Sequence, residues 1–277
     1  MKFWKYQGAG NDFIMLDQRE DQLISQADTE LIEHLCDRRF GIGADGLILL
    51  QALSGYDFQM IYFNADGRES TMCGNGGRCV AAFAQHLGFI SQKCRFMAID
   101  GEHEAIISPL HGVDGPGFWV ELKMSDVKDI ERQEDAFIMN TGSPHFVRFL
   151  DNLENVDVVA EGRAVRYSEP WKKEGINVNF IGQEEKSNQL QIRTYERGVE
   201  DETYACGTGV TAAAIASFLQ SGSQAEDVEI KVQAKGGDLR VRFHVNENGT
   251  FSDIWLCGPA VGVFEGKIKV DLNHLMA

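Results

Sequence analysis

The chain repeats itself. GNDF at 10–13 recurs as GSPHF at 142–146, GADGLILL as GINVNFIG, YFNADG as TYERG, and MCGNGG as ACGTGV, all in the same order. A spacing of 132 residues carries Asn11 onto Ser143, Asp45 onto Asn177 and Asn64 onto Glu196, and a spacing of 133 carries Cys73 onto Cys206. Any one of these matches could be coincidence between short glycine-containing strings. Four in order at nearly one offset constrain the fold more than any other feature of the chain. They imply two like domains, each of ordinary domain size. If a pseudo-two-fold axis relates the domains, corresponding residues oppose one another across the cleft between them. Clefts at domain interfaces are common ligand sites. The repeat therefore predicts that Cys73 and Cys206 face each other.

Each half reads alike at the local level. FQMIYFN is aromatic and β-branched, a strand, and NADGRES follows as a turn. After MCGNGGR, the segment CVAAFAQHLGF is helical, with Gly88 as its stop. In the second half QIRTYE is a strand, RGVEDET a polar loop whose Glu200-Asp201-Glu202 run reads as solvated, and ACGTG a tight turn. GVTAAAIASFLQSG is then an alanine-rich helix ending near Gly222, suited to a buried position wrapped by sheet. One amphipathic helix is expected at TELIEHLCDRRFG. The remainder is short strands: FIMLDQ, GLILL, EHEAIIS, FWVELKM, HFVRFL, NVNFIG, EIKVQA, LRVRFHV, DIWLCG and KIKVDL. Crossover helices between successive strands are scarce, which argues against a doubly wound parallel sheet. The expectation is an α+β protein of two pseudo-symmetric domains, each a curved, mainly antiparallel sheet around a central helix. The N-terminal domain, 1–119 with the C-terminal 264–277, carries Cys73, and the C-terminal domain, 120–263, carries Cys206.

The chemistry must come from these residues. With 26 basic against 42 acidic residues the net charge is -16, a surface that repels polyphosphate, so no nucleic-acid partner is expected. There is no apolar run of membrane-spanning length and no signal-peptide pattern at the N-terminus, so the expected place is the cytoplasm, with no membrane partner. No pair among the six cysteines has the CxxC spacing of a zinc site, and no metal is expected. Cys36, Cys79, Cys94 and Cys257 read as packing.

Cys73 and Cys206 differ from the other four because each precedes a glycine-rich turn and a helix. A thiol there sees the positive end of the helix dipole, which lowers its pKa. The N–H groups of the same turn can cradle a carboxylate. Gly74, Gly76, Gly207 and Gly209 read as letting backbone approach a ligand. Two such thiols on opposite faces of a substrate carbon suit inversion of a stereocentre, one as thiolate base and the other as thiol acid. The small-molecule substrate would then be an amino acid whose α-proton is exchanged.

These strings resemble the diaminopimelate epimerase family: GAGNDF, GIGADG, FNADGRESTMCGNGGR, GSPHF and YERGVEDETYACGTG, in compatible order and spacing. The Asn of CGNGGR separates this family from proline racemase-like relatives, which have CGHG. The resemblance implies interconversion of LL- and meso-diaminopimelate, a lysine and cell-wall precursor step, without pyridoxal phosphate or any other cofactor. It implies Cys73 and Cys206 as the catalytic pair, with Gly74, Asn75, Gly207 and Thr208 holding the reacting carboxylate. Asn11, Asn64, Asn177, Glu196 and Arg197 would make the remaining substrate contacts, with Arg197 on the distal carboxylate and Glu196 on the distal ammonium. His145 and Glu196 fall where the family has polar neighbours of the cysteines, and His145 reads equally as a structural histidine. The family also suggests a homodimer. Ser143 stands where many members have Asn, and Gly46 where some have Gln. Asn64 also reads as turn chemistry ahead of Asp66-Gly67. Two alternatives share the cysteine pair: a proline or hydroxyproline racemase or epimerase, and a thiol redox or ligand-binding protein.

Overall fold

The structure, a computed structural model, describes residues 1–183 and 189–269. Two compact units divide the chain: Met1–Leu122 with the chain from Pro259 on, and Lys123–Gly258.

The first unit runs β1 (Lys2–Gly8), β2 (Asn11–Asp17), α1 (Thr29–Cys36), β3 (Gly46–Gln51), β4 (Phe58–Asn64), α2 (Gly74–His86), β5 (Lys93–Ala98), β6 (Gly101–Pro109) and β7 (Gly117–Lys123). Neighbouring strands pair antiparallel except at β2–β3 and β4–β5, which are parallel. Helix α2 is buried from Gly74 through Ala84. It touches β1, β2, β3, β4 and β6, so the sheet curls around it. The outer face of β2 and β3 is covered as well, because Leu31, Ile32 and Leu35 of α1 pack on Ile14, Leu16, Leu47 and Leu49. A sheet buried on both faces explains why GLILL is an unbroken apolar run rather than an alternating one.

The second unit runs β8 (Ile130–Arg132), β9 (Ala136–Asn140), β10 (Pro144–Phe149), α3 (Val158–Arg166), β11 (Asn177–Gln183), β12 (Leu190–Glu196), β13 (Asp201–Thr203), α4 (Gly207–Ser221), β14 (Asp227–Ala234), β15 (Gly237–Val245) and the first part of β16 (Phe251–Lys267). Its parallel steps are β10–β11 and β12–β14, and the other pairings are antiparallel. Helix α4 is enclosed by β9, β10, β11, β12, β14 and β15, and ends at Gly222 in a left-handed conformation (φ 67°), where glycine carries no Cβ penalty. Helix α3 lies on β11 and β12 so closely that a Cβ on Gly162 would come within 2.4 Å of Tyr195 Cβ. Apart from the short β13, the element order from β9 onward repeats that of the first unit, with the parallel steps at equivalent places. The α+β class and the two-fold repetition are both present. Among the described residues no helix is long and apolar enough to cross a membrane.

Two local readings change. The Glu200-Asp201-Glu202 run is not a solvated loop: Asp201–Thr203 pairs with β12, Glu202 binds Arg193 at 2.7 Å, and Glu200 accepts from Tyr195 at 2.8 Å. Opposite charges and phenol donors brought close by the hairpin outweigh the polarity of the string. DIWLCG and KIKVDL are not two strands, since β16 runs unbroken from Phe251 to Lys267; KIKVDL from residue 270 on lies outside the described residues. Pro259 is tolerated because β15 pairs with β16 only as far as Cys257 and β1 begins at Val261, so its missing N–H falls between the two ladders. Gly76 and Gly209 are crowded from within their own unit. A Cβ on Gly76 would meet Ile48 at 3.1 Å, and one on Gly209 would meet Asn179 Oδ1 at 2.4 Å, so both glycines admit neighbours from their own unit.

Gly46 is similarly closed, since a Cβ there would lie 2.4 Å from Phe63 O and 2.6 Å from the Tyr62 ring. Gly46→Ala is expected to lose about 1–3 kcal/mol of stability through overpacking. The measurement is a urea-unfolding midpoint, which should fall at an unchanged m-value.

Candidate active site

In the first unit Cys73 is the N-cap residue of α2, with extended backbone (φ -104°, ψ 120°) and no side-chain capping bond. Asn75, in the first turn, is fully buried and points inward. Its amide donates to Asn11 Oδ1 at 2.5 Å and accepts from Arg78 Nη2 at 2.9 Å, while Arg78 Nη1 reaches Gly74 O at 3.3 Å. Asn11 in turn donates to Asp45 Oδ2 at 3.0 Å. Arg38 then links Asp45 to Asp12, and Lys5 binds Asp12 at 2.9 Å. Burial would raise the Asp12 carboxyl, but its bonds to Arg38 and Lys5 outweigh that and hold it at about 2. Asn64 ends β4 with an exposed side chain; its N–H donates to Arg68 O and its O accepts from Gly67 N, so its backbone makes the turn.

In the second unit Cys206 is the N-cap residue of α4, with nearly the same backbone (φ -109°, ψ 112°), again with no capping bond from its side chain. Its Sγ lies 3.4 Å from Thr208 Oγ1. Thr208 Oγ1 is also 2.8 Å from His145 Nε2, and His145 Nδ1 is 3.0 Å from Asn179 Nδ2. Asn177 donates to Ser143 Oγ at 2.9 Å and accepts from Arg197 N at 2.9 Å. The Arg197 guanidinium reaches Glu174 O at 3.0 Å and Ser143 Oγ at 3.4 Å, both neutral groups. Glu196 closes β12, half-buried beside it. The pair Asn11–Asp45 thus has its counterpart in Ser143–Asn177, as the repeat predicts.

The structure assembles Cys73, Gly74, Asn75 and Asn11 in one unit, and Cys206, Gly207, Thr208, His145, Asn177 and Arg197 in the other. Sequence reasoning missed Arg78, Asp45 and Asn179 as supporting groups. A signal existed for Asn179: it sits two residues after Asn177 in a strand whose other interior residues, Val178 and Phe180, are apolar. Among the remaining cysteines, burial pushes Cys36 and Cys94 up to about 12 and raises Cys79 too, which suits packing rather than reaction.

His145 is fully buried. Burial, and after it the Arg197 charge, depress its pKa to about 3. The ring therefore stays neutral in the folded protein while the unfolded chain protonates near the ordinary value of about 6.5. The unfolded state binds the proton first, so stability falls as pH drops from about 6.5 toward about 3. Between about pH 7 and about pH 5 this group alone is expected to remove about 2 kcal/mol. Urea unfolding across that range should show a flatter dependence in His145→Gln. An equal slope in both proteins would mean that the native ring is already charged.

Known proteins bear on this arrangement. The diaminopimelate epimerase family model matches residues 3–109 and 137–261. The diaminopimelate epimerase of Flavobacterium psychrophilum is 50% identical over 268 residues, covering 97% of this chain and 100% of that one. The Chlorobaculum tepidum enzyme of the same name is 41% identical over 268 residues, covering 95% and 99%. Among solved structures, a Bacillus anthracis phenazine biosynthesis protein of the PhzF family superposes with a TM-score of 0.74 at 12% identity, covering 98% of this chain and 99% of that one. A hydroxyproline epimerase from Agrobacterium vitis gives 0.71 at 13% identity, covering 98% and 91%. At such identities the likeness to the solved structures is one of fold. The sequence relatives go further, sharing up to half their residues along nearly the whole chain that carries both Cys-Gly helix starts, and on that ground the chain belongs to the diaminopimelate epimerase family.

Proposed function

We propose that this chain interconverts LL- and meso-diaminopimelate, with Cys73 and Cys206 as the proton-transfer pair. The observation that carries the reading is the equivalent placement of the two cysteines: each is the N-cap of the buried helix at the centre of its unit. One thiolate removes the α-proton, and the other thiol donates its proton to the opposite face of the resulting carbanion. Base and acid have then exchanged roles, ready for the reverse reaction. Positioned proton transfer contributes about 10²–10⁴-fold. The rest of the acceleration falls to donors around the α-carboxylate, assigned here to the helix starts at Gly74, Asn75, Gly207 and Thr208.

Asn11, Asn64 and Asn177 are assigned to the substrate's polar groups, and Glu196 with Arg197 to its distal ammonium and carboxylate. The guanidinium of Arg197 bonds Glu174 O and Ser143 Oγ, both neutral oxygens, which supports this, because its planar fork suits a carboxylate. A proline-type substrate has no distal charge to meet that pair. His145, neutral and bonded to Thr208, is assigned a supporting role beside Cys206. Action in the cytoplasm as a homodimer, with no nucleic-acid or membrane partner, completes the reading.

Reduced protein incubated with LL-diaminopimelate in D₂O should lose the α-proton signal as the meso isomer forms, with no cofactor added. Cys73→Ala and Cys206→Ala should each reduce the rate more than tenfold while keeping the wild-type fold. Turnover of hydroxyproline but not diaminopimelate would replace the substrate assignment, and more than a tenth of the wild-type rate in either variant would sink the two-base assignment.

A further inference from the structure

The hydrogen bonds behind Cys206 can be assigned donor by donor. Asn179 is buried in β11, with its amide nitrogen 3.1 Å from Phe146 O and 3.0 Å from His145 Nδ1. Its oxygen accepts from the Thr194 hydroxyl at 3.0 Å. A carbonyl only accepts, so the NH₂ of Asn179 must be the group that faces Phe146. That NH₂ has no lone pair to offer, so His145 Nδ1 is the acceptor and carries no proton. In the neutral ring the proton is then on Nε2, which donates to Thr208 Oγ1 at 2.8 Å. A hydroxyl that accepts from the ring keeps its own proton to give, and Cys206 Sγ lies 3.4 Å away. Thr208 is itself held, because its carbonyl accepts from Thr141 Oγ1 at 2.8 Å.

We propose that Asn179 is a positioning residue: by fixing the tautomer of His145 it aims the Thr208 hydroxyl proton at Cys206 Sγ and so stabilises the thiolate. The inference rests on the reading of Cys206 as a proton-transfer group. The first turn of α4 is built around the amide, since a Cβ on Gly209 would come within 2.4 Å of Asn179 Oδ1. The relay is also particular to this thiol. The same offsets put Leu47 in the place of Asn179, Phe13 in the place of His145 and Asn75 in the place of Thr208. The charged group acting on the ring is Arg197, which opposes a second proton on it.

Two readouts test this without relying on the substrate. In full-length protein labelled with ¹⁵N-histidine, the His145 signals, identified by their loss in His145→Gln, should show a bare Nδ1 and a protonated Nε2. Alkylation of Cys206 by iodoacetamide, followed by peptide mass spectrometry, should slow about tenfold in Thr208→Val, the loss of one hydrogen bond to a charged group. Thr208→Ser should keep the wild-type rate within about threefold. In Asn179→Asp the carboxylate only accepts, which moves the ring proton to Nδ1, turns the Thr208 hydroxyl toward Nε2 and slows alkylation similarly. A wild-type ring protonated on Nδ1, a reversed tautomer with unchanged alkylation, or equal rates for the Val and Ser variants each overturns the proposal. If Asn179→Asp does not fold, the wild-type spectrum and the Thr208 pair still decide. Because neither readout uses turnover, the relay can fail while the epimerase reading stands, and the reverse.

Discussion

Two helices each begin at a cysteine that adopts the N-cap backbone without capping. Ser, Thr, Asp or Asn in that position would accept a bond from the first turn and steady it by about 1 kcal/mol. Here the steadying comes from elsewhere, because the helix starts are wrapped by sheet and buried from their first residue. Gly76 and Gly209 let that wrapping close tightly, one against Ile48 and the other against Asn179. The arrangement keeps the positive end of each helix dipole beside a sulfur atom. The rest of the fold can be understood as the packing needed to hold these two uncapped ends.

The two units solve the same problem with different electrostatics. Behind Cys73 stands a charged framework in which Arg78 holds Asn75, Asn75 holds Asn11, and Asn11 leads through Asp45 to Arg38, Asp12 and Lys5. Behind Cys206 stands a neutral chain of Thr194, Asn179, His145 and Thr208. Both run from side chain to side chain without a break, so each member is held by the next. In the charged network Asp12 meets both Arg38 and Lys5, and such pairing is the condition under which burying an ion is tolerable.

Much of this was legible before any coordinates. The constant offset gave the duplicated element order, and the Cys-Gly strings marked the helix starts. Gly88 and Gly222 marked helix ends because each takes a positive φ just past its helix. Other parts were silent for physical reasons. The parallel pairings β2–β3 and β10–β11 leave no local signature, since parallel partners are distant in sequence. Helix α3 escaped because Gly162 weakens its propensity, although Asp157 caps it by accepting from Ala160 N. The role of Glu202 was hidden in a polar string, because only the hairpin brings Arg193 to it. The contacts of Arg78 with Asn75 and of Asn179 with His145 became visible only once the strands and helices were in register.

The long strand β16 has a consequence for how the molecule is made. Strand β1, at the very start of the chain, pairs with residues 261–267, near the end of the described chain. The second unit, by contrast, is one continuous stretch, Lys123–Gly258. During synthesis the first unit therefore leaves the ribosome with the edge of β1 open, and waits while the whole of the second is translated. At about 5–20 residues per second that interval lasts on the order of ten seconds. The half of the protein that is made first is the half that is finished last, and in that interval its uncovered strand edge is a place where nascent chains can pair with the wrong partner.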